Sequence, residues 1–334
     1  MTWVQGGGSE KSDRPDLRAT YAAEAGWRRI QALLPEDHRL NGSNSPTEEW
    51  LTAEPFSVHL DCWRRPGAPA TLVLIHGGGG NGRLLSPYGA MAATAGYEVV
   101  APDLPGYGLT EVPSKRALVF EDWRDTVAAV LESQRRRTDR PIIIFGLSMG
   151  GMLAYDATAR TRIPSGLVAT CLLDPRDPLV RRSMVRWPWM GPIMEPLLSA
   201  APALTDSLPV PMRLAGNMRG VANNPELAET IATDPRAGGS WMPARFLRTF
   251  ANSGPLASPD SFDVCPVLLA HPADDRWTDI SVTQPFFDRL RVAKRLVMLD
   301  NAGHLPVEEP GATQLRTALL DFLAERSRVG SSRQ

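Results

Sequence analysis

Lysine is nearly missing from this 334-residue chain; it occurs at positions 11, 115 and 294. Arginine carries almost all of the positive charge, which we read as a bias of genomic base composition. Basic and acidic residues nearly cancel, 36 against 37, for a formal net charge of -1. There is no excess of either sign to attract nucleic acid or an anionic membrane. Cysteine is scarce too. Cys62, Cys171 and Cys265 are an odd number, have no metal-ligand spacing, and each lies in or beside an apolar run. That argues against a disulfide framework and a zinc site, and for three small buried hydrophobes. No stretch approaches the ~20 uninterrupted apolar residues of a membrane span, and the first residues contain no apolar signal core. The expectation is a cytoplasmic protein with no transmembrane segment, no metal and no organic cofactor.

What is present is an alternation of strands and helices. Residues 1–15 are rich in Gly, Ser and charge, the composition of a disordered segment. A helical pattern begins at Asp16 and stops before Pro35, within an N-terminal extension over 16–49 that is free to pack on other elements or to mediate a homodimer. Residues 50–64 read as strand. Strands at 71–75, 98–101, 142–145, 167–173, 267–270 and 295–299 then alternate with helices near 84–95, 120–137, 149–160, 284–291 and 312–325. Strands separated by helices of this length run parallel through right-handed crossovers, so the fold class is α/β with a doubly wound sheet. The core is expected over 50–174 and 263–326, with a tail at 327–334.

The stretch 175–262 interrupts the alternation. It holds 13 of the 30 prolines and a concentration of Trp and Met. Proline at that density breaks helices into short pieces, and Trp and Met make a pliable apolar lining. This is the composition of a helical cap over a pocket. Trp187, Trp189, Met190, Met194 and Trp241 are its candidate substrate contacts, with Leu147 from the core.

Four glycines follow His76 at the end of the strand "TLVLI". Gly77, Gly79 and Gly82 satisfy G-x-G-x-x-G, and Asp103 ends the next strand, so a dinucleotide site is one reading. A P-loop is not, because Arg83 and Leu84 stand where Lys and Ser/Thr belong. The alternative is a bare backbone that holds a developing oxyanion.

Gly146-Leu147-Ser148-Met149-Gly150 follows a buried strand and opens a helix. A hydroxyl becomes a useful nucleophile when it is exposed, oriented and paired with a base. A sharp strand-to-helix turn supplies exposure and orientation, and the flanking glycines relieve its crowding. Five histidines are available as base. His304 follows the last strand, in a loop at the carboxyl edge of the sheet and after the serine in the chain; His271 is second choice. The acid belongs at a strand edge between them. Asp275 is preferred, with Asp274 as a turn carboxylate and Asp174 as the other candidate. Its task is to orient the imidazole and stabilise the imidazolium.

The series "HGGGG", "APDLPGYGLT", "GLSMGG", "HPADDRWT" and "NAGHLPVEEP", in this order, resembles the α/β-hydrolase superfamily from about residue 50 to 325. "GLSMGG" is similar to the turn of monoacylglycerol lipases and related esterases, and "HGGG" to the loop of hormone-sensitive-lipase-like esterases. The resemblance implies an eight-stranded, mostly parallel sheet with the cap inserted after strand 6. It implies that Gly78, with Gly79 next, and the amide of Met149 form an oxyanion hole. It also implies a serine esterase, lipase or lactonase acting on a small-molecule ester through an acyl-enzyme. Because His304 must be neutral to act, activity should fall in acid. Dehalogenases and epoxide hydrolases of the superfamily use Asp as nucleophile, and Ser148 argues against both. Two alternatives stay open: an aminopeptidase of the proline-iminopeptidase kind, with Glu195 or Glu226 as amine anchor, and a non-catalytic receptor.

Overall fold

The computed structural model describes residues 18–185, 189 and 202–331. Its strands are β1 (Thr47–Ala53), β2 (Phe56–Trp63), β3 (Thr71–Ile75), β4 (Glu98–Pro102), β5 (Ile142–Gly146), β6 (Gly166–Ala169), β7 (Pro209–Pro211), β8 (Trp241–Pro243), β9 (Val267–Pro272) and β10 (Lys294–Leu299). Its α-helices are α1 (Ala25–Leu33), α2 (Ser86–Thr94), α3 (Phe120–Arg137), α4 (Met149–Thr161), α5 (Pro178–Met184), α6 (Pro202–Thr205), α7 (Met212–Ala215), α8 (Pro225–Thr233), α9 (Ala244–Ala251), α10 (Ile280–Arg289) and α11 (Gly311–Ser331).

Eight strands form one sheet in the order β1-β2-β4-β3-β5-β6-β9-β10. β2 is antiparallel to β1 and β4; the other pairings are parallel. The central strands are apolar throughout because both faces are covered. Successive residues serve opposite cores. Leu72 and Leu74 of β3 join Ile143 and Phe145 of β5 in the cluster with α2 and α11. Val73, Ile75, Ile142 and Ile144 point the other way, to α3, α4 and α10. This architecture is the one that the motif series implied.

Three boundaries differ from the sequence reading. The strand expected over 50–64 is a hairpin, split at Glu54 and Pro55, where proline cannot donate to the ladder. The helix expected from Asp16 is confined to α1 among the described residues. Tyr21 instead donates its backbone N–H to Glu48 at 3.0 Å and its hydroxyl to Asp103 at 2.9 Å, tertiary bonds that a helix through this residue would have to accommodate. The strand expected over 167–173 ends at Ala169, although Cys171, Leu172 and Leu173 stay buried. Between β6 and β9, short helices surround the antiparallel pair β7–β8, as the proline content suggested.

Candidate active site

The turn from β5 into α4 is built by close backbone packing. A Cβ on Gly146 would run into the carbonyl of Gly150, and one on Gly150 into the carbonyl of Ile75. Between them Ser148 adopts φ 57° and ψ -131°, a strained conformation for a residue with a side chain. Its backbone N–H donates to Thr170 Oγ1 at 2.9 Å, a tie to the end of β6. Ser148 remains partly exposed and borders a cavity of about 270 Å³.

In the loops that follow β9 and β10, His304 Nδ1 lies 2.8 Å from Asp275 Oδ2. The backbone amides of Trp277 and Thr278 donate to Asp275 Oδ1 at 2.8 and 2.9 Å, and the Thr278 hydroxyl donates to Oδ2 at 2.9 Å. Burial opposes the charge on Asp275. The His304 pairing and these amides outweigh it and hold the carboxyl down at about 2. Asp275 is therefore an acceptor, so Nδ1 carries a proton, and in a neutral imidazole Nε2 keeps its lone pair. That Nε2 is buried and has no hydrogen-bond partner among the described residues. The alternative acids lie elsewhere: Asp174 pairs with Arg176 at 2.7 Å, and Asp274 is exposed. His271 donates through Nδ1 to the Thr170 carbonyl at 2.8 Å, and burial lowers its pKa.

The glycine loop is fixed from beneath. His76 Nδ1 lies 2.8 Å from the Gly77 carbonyl, and its Nε2 accepts from Leu104 N at 2.9 Å. Burial pushes this imidazole down to about 4, so it is a neutral strut. Gly78 and Met149 both border the cavity; Gly79, at φ +77°, does not and packs on Met218.

Asp103 does not face a ligand. It is fully buried and accepts from Gly82 N at 2.7 Å, Leu109 N at 2.8 Å and the Tyr21 hydroxyl. Asn81 caps the helical turn after the glycines with its own side chain, accepting from Leu84 N at 3.0 Å. The dinucleotide reading fails on both counts, since ribose and phosphate would need those groups free. Asp103 also meets His59 Nδ1 at 3.0 Å. Ligand atoms of Glu48, His59 and Asp61 lie within 4.8 Å of one another. They are already engaged: Arg83 makes bonds of 2.5 and 2.6 Å to Asp61, and His59 lies 3.3 Å from Glu48. The guanidinium occupies the place a metal would take, so the cluster is an ion-pair network. Burial opposes protonation of His59, but Asp103, Glu48 and Asp61 outweigh it and raise its pKa to about 10.

The cavity wall leaves out three of the six expected substrate contacts. Trp241 lies beside Lys115 and Arg116, Leu147 is packed in the core, and Trp189 is 69% exposed; none lines the cavity. Trp187, Met190 and Met194 lie outside the described residues, as does Glu195. Glu226 is exposed in the first turn of α8, away from the wall. The wall is built instead by Leu173, Val210, Met212, Leu247, Phe250 and Trp277, with Arg181 as its charged residue. Proline and methionine density pointed to the cap region, but residues so far apart in the chain gave no signal of a shared wall.

The sequence pattern described as "Alpha/beta hydrolase family" matches residues 72–313. An uncharacterized abhydrolase domain-containing protein of Dictyostelium discoideum is 26% identical over 288 residues, 84% of this chain and 29% of that protein. Protein phosphatase methylesterase 1 of Mus musculus is 32% identical over 104 residues, 31% of this chain and 27% of that protein. The chain thus spans less than a third of the length of these relatives. Among solved structures, a soluble variant of monoglyceride lipase from Saccharomyces cerevisiae, in complex with a substrate analogue, superposes with a TM-score of 0.68 at 16% identity. That match covers 85% of this chain and 97% of the lipase.

Proposed function

From the premise that this chain belongs to the alpha/beta hydrolase family, we propose that it hydrolyses a hydrophobic carboxylic ester through an acyl-enzyme on Ser148. The observation that carries this reading is the pairing of His304 with Asp275 through Nδ1, which leaves Nε2 as an available base at the same sheet edge as a strained, cavity-facing serine. In this reading Ser148 Oγ attacks the acyl carbonyl and His304 Nε2 takes its proton. The amides of Gly78 and Met149 receive the negative oxygen, a contribution worth ~10²–10³ in kcat per donor. The tetrahedral intermediate collapses and the alcohol leaves with the proton from His304. Water, deprotonated by the same nitrogen, then attacks the acyl-enzyme and frees the acid and Ser148.

The cavity supports an apolar acyl group. Its volume, about 270 Å³, suits a small to medium chain. Among the described residues, the charged one on its wall is Arg181 and none is a carboxylate. A cation on the wall repels the substrate ammonium that the aminopeptidase alternative has to hold. The test is hydrolysis of p-nitrophenyl esters from acetate to laurate, beside Ser148→Ala. The expected result is an optimum below laurate and loss of at least ~10³-fold in kcat on substitution. Turnover that survives Ser148→Ala overturns the mechanism. A folded protein that turns over no ester moves the reading to a peptidase, a narrow lactonase or a non-catalytic receptor.

A further inference from the structure

His304 is held along one line by Asp275, and one hydrogen bond defines a direction but not a plane. Trp277 packs against the imidazole ring. Its ring centroid lies 4.9 Å from that of the imidazole, with 36° between the planes. The same residue donates its backbone N–H to Asp275. Its indole Nε1–H reaches the carbonyl of Met184, the last residue of α5, at 3.4 Å. On the α7 side the indole meets Gly216, where an added Cβ would sit 2.9 Å from Cζ2. One side chain thus touches the acid's loop, the candidate base and two segments of the cap, and it lines the cavity.

Resting on the reading of His304 as base, we propose that Trp277 is a positioning residue that sets the imidazole plane and ties it to the cap. An aromatic side chain packed against a ring restricts its tilt, and its π face attracts the imidazolium that forms when the serine is deprotonated. Cap segments that press on the indole therefore press on the base. Among the described residues, the titratable groups that face His304 are Asp275 and His271, on β9. Neither is altered by a change at Trp277.

The experiment compares Trp277→Phe and Trp277→Leu with the wild type, using p-nitrophenyl butyrate across the acid limb of kcat/KM. Leucine keeps an apolar surface against the ring but removes the π face; phenylalanine keeps a smaller one. We expect kcat to fall about tenfold in Trp277→Leu and less in Trp277→Phe, with KM within about threefold. The acid limb should move to lower pH in the order Trp, Phe, Leu, by about half a pH unit overall, because the imidazolium loses its π partner. A leucine variant with wild-type kcat and an unmoved limb overturns the proposal; should that variant not fold, the same two readings on Trp277→Phe decide it. Gly216→Ala tests the cap tie. It should lower kcat in the wild type and change little in the Trp277→Leu background, whereas additive effects in the two backgrounds would remove the link. His304→Ala separates the levels. If it keeps activity, the reading of His304 as base fails; if it is inactive while the Trp277 series is flat, the positioning role alone fails.

Discussion

At the scale of single residues, the candidate nucleophile depends on groups that never touch a substrate. Thr170 is one. Its hydroxyl accepts the Ser148 N–H, and its carbonyl accepts from His271. Thr170→Val keeps the shape and removes the acceptor, stranding a backbone donor at the strained turn. Leaving such a group unsatisfied costs about 1–3 kcal/mol. The expected outcome is an unfolding free energy in urea lower by that amount and a reduced kcat with KM nearly unchanged; unaltered values for both would show that the turn holds without this bond. Gly150 is the harsher case. A methyl group there would run into the backbone carbonyls of Ile75 and His76, which cannot give way, so Gly150→Ala is expected to cost more than about 3 kcal/mol and to yield little folded protein on expression.

At the scale of elements, the segment before α1 acts as a strap. Tyr21 lies under the Arg83 guanidinium at 4.4 Å, and its hydroxyl closes on Asp103. Asp103 in turn holds the Gly82 amide at the end of the glycine loop. The N-terminal extension therefore reaches the loop that carries the candidate oxyanion donor. Tyr21→Phe deletes a hydrogen bond to a buried charged acceptor, an interaction worth about 1.5–3 kcal/mol. A fall of that size in unfolding free energy is expected by chemical denaturation, with a smaller loss in kcat as the loop relaxes. Helical composition marked this segment as part of a helix. Its role came from side chains on β1, β2 and the loop after β4, which no local pattern connects to it.

At the scale of the whole molecule, the buried network sets how stability varies with pH. His59 is raised to about 10 by its carboxylate partners against the effect of burial. The stability that it contributes is complete below the ~6.5 of an unfolded histidine and is lost as pH climbs through about 10. Asp275 works at the other end. Its pKa is held at about 2, so its contribution is complete above the ~3.8 of an unfolded carboxyl and is lost as pH falls toward 2. The melting temperature should therefore decline between pH 7 and 10. Calorimetry of His59→Gln should show a lower but flatter curve over that range; an equally steep decline would assign the alkaline loss to other groups.

The sequence by itself determined the sheet, the sharp turn at Ser148 and the order of the motifs. These are local matters: a buried parallel strand is an unbroken apolar run, and a strand-to-helix turn needs glycines at adjacent positions. It also brought forward His304 and Asp275, because loops after parallel strands share one sheet edge. What only the tertiary structure decided was assembled across the chain. The cavity wall draws on residues from Gly78 to Thr278, and the expected Trp241 and Leu147 turned to other neighbours. Asp103, spaced as a ribose ligand would be, became the buried acceptor for Tyr21 and Gly82. Spacing along a chain encodes backbone geometry, whereas the partner of a buried charge or the wall of a pocket depends on which distant side chains the packed sheet brings within reach.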